Sequence, residues 1–469
     1  MKKFIGRQRE LTDLDHLYHK DGFQMAVVYG RRRVGKSTLL QKFVEGKKAI
    51  FYTAIRSSAQ KNLELMGKRI LEVLAPALSQ LSFQSYEELF SFLTQQCQEQ
   101  RIVFVIDELP YLAEQNPSIL SVLQKYIDTE WLSGQMYLIL CGSSISFMEN
   151  EVLSEKSPLF GRRTMQLHLT PFSYREAAEF VPDYTPEEKA ICYGVTGGVA
   201  KYLSLFAADQ SLDENLMDLF FNKSGYMYEE PENLLTQEFR HIATYSSIIE
   251  AVASGRTKLS AIADLTHLEP STISHAARNL IATGILKREQ AITDERNKKK
   301  TRYVLADHMF RFWYRFLPNA IDAIALGHGA IYYEKVVKPR LPDYMSDVFE
   351  DMCREYTLSL GLNGQLPCFV TRVGKWWGTN PTKKEETDID VVGLDTVKKL
   401  AVLGECKFKN EILDKKVFEQ LQARNGLIDH QYRVVQYLLF SKSGFSDWIL
   451  EHQKSESMQA ITLAQMYEV

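Results

Sequence analysis

The chain has 469 residues, 45% hydrophobic and 25% charged, with a formal net charge of −3. This is the composition of a globular protein of several domains; it excludes disorder as the main state, a fibrous chain and a uniformly basic nucleic-acid coat, while leaving room for a local basic patch. No apolar run reaches the ~18 residues that span a bilayer, no apolar segment follows the basic residues of MKKFIGRQREL, and the six cysteines include no C-x-x-C pair, so the expectation is a cytoplasmic protein without membrane association, zinc site or disulfide framework.

The first half alternates strands and helices. Gln24–Tyr29, Ala49–Thr53, Ile102–Ile106, Met136–Cys141 and Thr164–Leu169 read as strands, with helices over Ser57–Leu74, Ser85–Gln98 and Ile119–Trp131. The central runs are continuously apolar, which predicts a parallel sheet covered on both faces. Between the first strand and a helix beginning near Ser37 lies GRRRVGKS, Gly30–Ser37, which fits G-x-x-x-x-G-K-[ST]. Gly30 and Gly35 let the backbone curl so that the N–H groups of the loop face a phosphate. The expected nucleotide cradle is Gly30, Arg31, Arg32, Arg33, Val34, Gly35, Lys36, Ser37 and Thr38. Lys36 supplies a point charge to the β- and γ-phosphates, Ser37 a hydroxyl to Mg²⁺, and the helix N-terminus a partial positive charge.

IVFVIDEL, Ile102–Leu109, ends its apolar strand in two carboxylates, at the edge where open α/β sheets bind ligands. Asp107 is expected to hold Mg²⁺ through water and Glu108 to act as general base on the attacking water. In LILCGSS, Ser143 or Ser144 would hydrogen-bond the γ-phosphate or the lytic water. In SPLFGRR, Arg162 or Arg163 would reach a γ-phosphate as an arginine finger, in a neighbouring subunit of a homo-oligomer.

These motifs, together with LTPFSYREA, resemble the AAA-type ATPases called the archaeal ATPase family, among the P-loop NTPases of the AAA+/STAND kind. The resemblance covers about residues 1–230. FIGRQREL, Phe4–Leu11, is similar to the family's N-terminal motif, which implies that Gly6 and Arg7 pack near the adenine. Gly197-Gly198-Val199-Ala200-Lys201-Tyr202 resembles its lid motif, usually G-G-x-P-x-Y, with Ala200 in place of the proline.

A helical section follows, then the polar EEPEN, Glu229–Asn233, read as a linker. Ile248, Ile249 and Val252 give one apolar helical face, and Leu259, Ile262 and Ala263 a second. Pro270 opens a third helix through Leu280, which is helix-turn-helix spacing. Lys287–Glu289 and Thr301–Val304 are expected as wing strands, with Asp294–Lys300 as the wing tip. The section resembles winged helix-turn-helix domains, and its basic residues outnumber its acidic ones. Ser271, Thr272, Ser274, His275 and Arg278 would face a groove of double-stranded DNA, with Lys298–Lys300 on its phosphates. A protein-binding winged helix is the alternative. The aromatic helix Met309–Phe316 comes next.

In the last section, Thr387–Gly393, Ala401–Lys407 and Arg433–Phe440 read as strands, Phe349-Glu350 sits on an upstream helix, and Gln420 and Gln422 lie on a downstream one. This order resembles the PD-(D/E)XK restriction-nuclease-like fold, and the section also resembles the uncharacterised domain that accompanies these ATPases. Residues two apart on a strand share a face, so Glu405 and Lys407 would face one site. Asp390 and Glu405 would bind Mg²⁺, Lys407 would orient or deprotonate water, and Glu350 would complete the acidic cluster. Trp376-Trp377 reads as core or edge packing.

The expected fold class is α/β: a P-loop ATPase core (1–183) with a helical lid (184–234), a winged helix-turn-helix (235–318) and a restriction-nuclease-like domain (319–469). The expected function is Mg²⁺-dependent ATP hydrolysis coupled to a DNA-binding, DNA-cleaving C-terminal half. The alternative is a nucleotide-switch signalling or scaffold ATPase whose C-terminal half binds protein.

Overall fold

In the computed structural model, which describes residues 4–468 except 79, 98–99, 294–300 and 382–383, five strands of the N-terminal part pair in parallel. They are β1 (Gln24–Tyr29), β2 (Ala49–Thr53), β3 (Ile102–Asp107), β4 (Met136–Gly142) and β5 (Met165–His168), in the order β2-β3-β4-β1-β5. β1, β3 and β4 are buried along their whole length, which explains their unbroken apolar sequences. Alternate residues feed two cores: Met25 and Val27 join one, Ala26 and Val28 the other. Because β3, β4 and β1 are neighbours, the segments leaving their C-terminal ends lie side by side. The phosphate loop follows β1, Asp107 and Glu108 end β3, and Ser143 follows β4.

The described residues up to Phe172, with Val199–Tyr202, form one compact unit; Ser173–Gly198 and the residues from Leu203 onward form a second. In the second unit the expected linker at Glu229–Asn233 is instead the start of a helix, Glu230–Glu238, with Pro231 in its first turn and both Glu230 and Pro231 buried. Proline suits that turn because its fixed φ is helical and no N–H is needed there, so a polar, Pro-containing run is equally a helix start.

Helices Ile242–Ala253, Leu259–Thr266 and Pro270–Ala282 precede a two-stranded antiparallel ribbon, β6 (Leu286–Glu289) and β7 (Arg302–Leu305). The tip expected at Asp294–Lys300, with Lys298–Lys300, lies outside the described residues. The base of the ribbon is buried: Ala291 and Ile292 share an apolar core with Trp376, Trp377 and Ile389. Ile292 N–H donates to the Lys375 carbonyl at 3.0 Å, and the Arg302 guanidinium lies 4.6 Å from the Trp377 ring centre.

The last sheet has the order β12-β11-β10-β9-β8, from β8 (Arg372–Asn380), β9 (Glu385–Asp395), β10 (Leu400–Lys407), β11 (Arg433–Ser441) and β12 (Met458–Thr462). β8, β9 and β10 are antiparallel neighbours; β10, β11 and β12 are parallel. Helix Leu341–Leu362 lies against β8, β9 and β10, and helix Lys415–Gln422 connects β10 to β11. β8 and β12 have no counterpart in the sequence reading. A register shift between Gly374 and Trp376 breaks the alternation of β8, and β12 is five residues long. Among the described residues no helix is long and apolar enough to cross a membrane.

Candidate active site

The phosphate loop is held open by backbone that only small residues adopt freely. Gly30 has φ +152°, and a Cβ there would stand 2.2 Å from the Leu169 carbonyl oxygen. Gly35 has φ +95° and begins helix Lys36–Val44. The N–H groups of Lys36, Ser37 and Thr38 lie in its first turn, where the helix offers them no carbonyl; the Thr38 side chain is exposed.

Lys36 is buried, and its Nζ donates to the carbonyls of Gly30 and Arg31 at 2.9 Å each. Burial pulls the ammonium below its usual pKa, against the opposing influence of Cys141, Glu108 and Asp107. Ser37 Oγ donates to Asp107 Oδ2 at 2.7 Å, joining the first helical turn to the end of β3. Glu108 has φ 54°, a conformation that side-chain-bearing residues seldom adopt, and its Oε2 accepts from Ser143 Oγ at 2.8 Å and Ser143 N–H at 3.3 Å. Of the two serines, Ser143 is therefore the one that meets the Glu108 carboxylate. Ser144 caps the next short helix, accepting from Phe147 N–H at 3.4 Å.

The N-terminal motif reaches this loop. Arg7 is buried, donates to the carbonyls of Val34 (3.3 Å) and Thr170 (2.5 Å) and to Glu10 (3.0 Å), and lies 4.1 Å from the Phe172 ring centre. Gly6 has φ +64°, and a Cβ there would meet Phe172 at 2.8 Å. Lys201 N–H donates to the Arg33 carbonyl at 3.0 Å, and Arg33 donates to Tyr202 Oη at 3.4 Å.

The two candidate finger arginines differ. Arg162 makes a two-pronged ion pair with Asp128, at 2.7 and 2.6 Å, and donates to the carbonyls of Pro158 and Phe160. Arg163 is half-buried and acts electrostatically on Tyr29, the residue before the phosphate loop. The residues fit a magnesium nucleotide: a backbone cradle, a buried ammonium, and a hydroxyl and a carboxylate already in contact as a hard-cation donor pair.

A second polar cluster lies in the second unit. Helix Leu341–Leu362 supplies Glu350, β9 supplies Asp390, and β10 supplies Glu405 and Lys407. Asp390 Oδ2 accepts from Cys406 N–H at 3.0 Å. Lys407 Nζ meets Glu405 Oε1 at 2.6 Å, so the two do share a face. Three cations that the sequence reading missed complete the cluster. Lys375 on β8 reaches Glu350 (2.9 Å), Asp388 (3.1 Å) and Asp390 (3.9 Å). Arg354 reaches Glu350 (3.3 Å), and Arg424 reaches Glu405 (2.6 Å). The signal for Lys375 was hidden with β8 itself.

Burial raises the Asp390 carboxyl to about 7, with Glu350 and Glu405 adding to the effect. Burial lowers Lys407, but Glu405 outweighs it and the net shift is upward. Among the described residues no group of three or more His, Cys, Asp or Glu is arranged to hold a metal ion. In the third helix of the helical trio, Ser271, Thr272, His275 and Arg278 are exposed, Ser274 is half-buried, and Ile273, Ala276, Ala277 and Leu280 face the core.

Residues 4–206 match the family described as an ATPase domain predominantly from Archaea, and residues 313–421 one described as Archaea bacterial proteins of unknown function. An uncharacterized protein of Methanocaldococcus jannaschii is 30% identical over 430 residues, which cover 91% of this chain and 92% of that protein. An uncharacterized ATP-binding protein of the same organism is 42% identical over 45 residues, covering 10% of this chain and 76% of that one. Among solved structures, the Walker-type ATPase of Pyrococcus abyssi superposes with a TM-score of 0.52 at 19% identity, covering 66% of this chain and 96% of that one, a likeness of fold.

Proposed function

The chain belongs to the family of ATPases found predominantly in Archaea, and on that premise we propose that it is a Mg²⁺-dependent ATP hydrolase whose second unit acts on double-stranded DNA. The contact that carries the ATPase reading is the 2.7 Å hydrogen bond from Ser37 to Asp107, with Glu108 beside it on Ser143. Lys36 would exchange two carbonyls for the β- and γ-phosphates, a charge-assisted bond in place of neutral ones. Glu108, oriented by Ser143, would accept the proton of the attacking water. Mg²⁺, when bound, would neutralise phosphate charge, and Ser37 and Asp107 are the residues that would hold it. Arg163 is the better candidate for a finger acting in trans in a homo-oligomer, because Arg162 is engaged by Asp128.

For the second unit, the trio of helices followed by the β6-β7 ribbon supports a winged helix-turn-helix, with Ser271, Thr272, His275 and Arg278 as its groove-facing residues. The order of helix, three antiparallel strands, helix and parallel strand supports a restriction-nuclease-like domain. Metal-dependent cleavage is favoured by one observation: buried Asp390 feels both the Glu350 and Glu405 carboxylates, which raise its pKa, and a divalent cation would relieve that repulsion. Such a cation, when bound, would activate water toward a phosphodiester, with Asp390 and Glu405 as the residues that hold it.

The test is ATP binding and phosphate release by the wild type and Lys36→Ala, run beside plasmid cleavage with Mg²⁺ or Mn²⁺ by the wild type and Asp390→Ala. Lys36→Ala should lose nucleotide binding, and Asp390→Ala should lose cleavage and keep ATP turnover. Absence of cleavage by the wild type under every condition would reduce the second unit to a binding module.

A further inference from the structure

Three carboxylates of the second cluster share one ammonium. Lys375 Nζ lies 2.9 Å from Glu350, 3.1 Å from Asp388 and 3.9 Å from Asp390. It thereby ties helix Leu341–Leu362, which carries Glu350, to β9, which carries the two aspartates. Its place on β8 is built into the backbone. Gly374 pairs with Val392 and Trp376 with Ile389, so Asp390 and Val391 together stand opposite Lys375 in a bulge. The segment after β6 closes on that bulge. Ile292 N–H donates to the Lys375 carbonyl at 3.0 Å, and a Cβ on Gly374 would stand 3.1 Å from the Ile292 Cβ.

The remaining acid has cations of its own. Glu405 meets Lys407 and Arg424 at 2.6 Å each, and Glu350 also meets Arg354 at 3.3 Å. Glu350, Asp388, Asp390 and Glu405 are thus balanced by Lys375, Arg354, Lys407 and Arg424. The hard oxygen donors that suit Mg²⁺ or Mn²⁺ are present, but the chain's own cations already engage them. A divalent cation entering such a balanced cluster meets like charges at close range, among mostly buried side chains that solvent screens weakly. One resident cation has to give way. Arg354 is fixed from a second side, by Asp351 at 2.8 Å and by the Asp390 carbonyl at 2.8 Å. Lys375 has a flexible stem and an outlet: the Asp388 side chain is 49% exposed, and it lies two residues before Asp390 on β9.

We propose that Lys375 is the resident counter-cation of the cluster: a divalent metal ion binds there by displacing the Lys375 ammonium from Glu350 and Asp390 onto Asp388 at the rim. The proposal rests on the metal-dependent reading of this cluster given above. The exchange makes and breaks ion pairs and hydrogen bonds and no covalent bond. Metal affinity is set by the contest between the ion and the lysine, and the acids are neutralised before any metal arrives.

The experiment is calorimetric Mn²⁺ binding to the full chain without nucleotide, for the wild type, Lys375→Met, Lys375→Arg, and Lys375→Met combined with Asp390→Ala. Lys375→Met should bind Mn²⁺ ~10-fold tighter or more, as expected when a like charge leaves a poorly screened site. Lys375→Arg keeps the charge and adds a fork of donors, so it should bind no tighter than the wild type. The double variant should lose the tight binding, which places that binding at the cluster rather than at the phosphate loop. A second readout needs no substitution: acetylation of Lys375 by acetic anhydride, followed by mass spectrometry, should accelerate at saturating Mn²⁺. Displacement is overturned, with the metal reading intact, if Lys375→Met binds Mn²⁺ no tighter than the wild type or if saturating Mn²⁺ leaves Lys375 acetylation unchanged. Lys375→Arg binding as tightly as Lys375→Met, or tight binding kept by the double variant, also overturns it. No Mn²⁺ binding by the wild type or by any variant overturns both the proposal and the reading beneath it.

Discussion

Ser37 and Asp107 lie 70 positions apart in the chain, yet the serine hydroxyl donates to the aspartate carboxylate at 2.7 Å. Two strand ends bring them together: the loop after β1 and the last residue of β3, which flank β4 in the sheet. If that pair holds the magnesium of the nucleotide, Asp107→Asn should raise the Mg²⁺ concentration needed for half-maximal hydrolysis. Saturated turnover should fall on the order of 100-fold, as for loss of one electrostatic partner of the transition state. A magnesium titration of phosphate release checks this; an unchanged midpoint would remove Asp107 from the metal site.

Gly30 is fixed by its neighbour rather than by a general need for flexibility. The Cβ of Gly30→Ala would stand 2.2 Å from the Leu169 carbonyl, so the loop or the end of β5 must shift. Gly30→Ala is expected to lower stability by roughly 1–3 kcal/mol and to weaken ATP binding, because the strained backbone and the cradle are the same atoms. Denaturant unfolding with and without ATP tests it. Wild-type stability with wild-type affinity would mean that the loop relaxes freely.

Asp390 sets a pH dependence. Its carboxyl is raised to about 7 by burial and by Glu350 and Glu405, whereas an aspartate in the unfolded chain titrates near ~4. The folded state therefore binds a proton more tightly than the unfolded state. Stability from this group is present at low pH and is lost as pH rises through the window from about 4 to about 7, where the unfolded carboxyl has already ionised. Asp390→Asn should flatten that loss and make the second unit more stable than wild type above pH ~7. Mn²⁺ should raise the wild-type melting temperature most at the same alkaline end and should leave Asp390→Asn nearly unmoved. Thermal melts across pH measure both; a wild type that gains no more from the metal at high pH than at low pH contradicts the cluster's role.

The exposed face of helix Pro270–Ala282 gives a DNA test. Arg278→Ala should weaken double-stranded DNA binding and lower the magnitude of the salt slope by about 1, as expected for one lost phosphate contact. Ser271→Ala should weaken binding with little change in slope, because it carries no charge. Anisotropy titrations over a range of salt concentrations distinguish the two. Equal slopes for wild type and Arg278→Ala would take Arg278 off the phosphates.

The phosphate site was legible because its signal is local and stereochemical. GRRRVGKS follows a buried strand directly, and IVFVIDEL writes a buried strand and its two carboxylates in one run. Which serine meets Glu108 and which arginine is engaged by a carboxylate was not legible. The partners are distant in sequence, Glu108 for Ser143 and Asp128 for Arg162, and no spacing rule reaches them. Helix Glu230–Glu238 was misread because Pro231 has two meanings, breaker and first-turn residue, and only the buried Glu230 and Pro231 separate them. Ala291 and Ile292, just after β6, are small or apolar for a tertiary reason, their burial in one core with Trp376 and Trp377. Lys375 illustrates the same limit in the second cluster. It reaches Glu350 and Asp388 from a strand whose bulge erased the period that would have announced it.

The most direct test of the account is the fate of ATP on Glu108→Gln. The amide keeps the size of the carboxylate and can still accept from Ser143, but it cannot take a proton from water. The account predicts that Glu108→Gln binds ATP with Mg²⁺ as tightly as the wild type and retains it unhydrolysed, so that intact ATP is recovered after many wild-type turnover times. Release of ADP and phosphate by Glu108→Gln at the wild-type rate would contradict it.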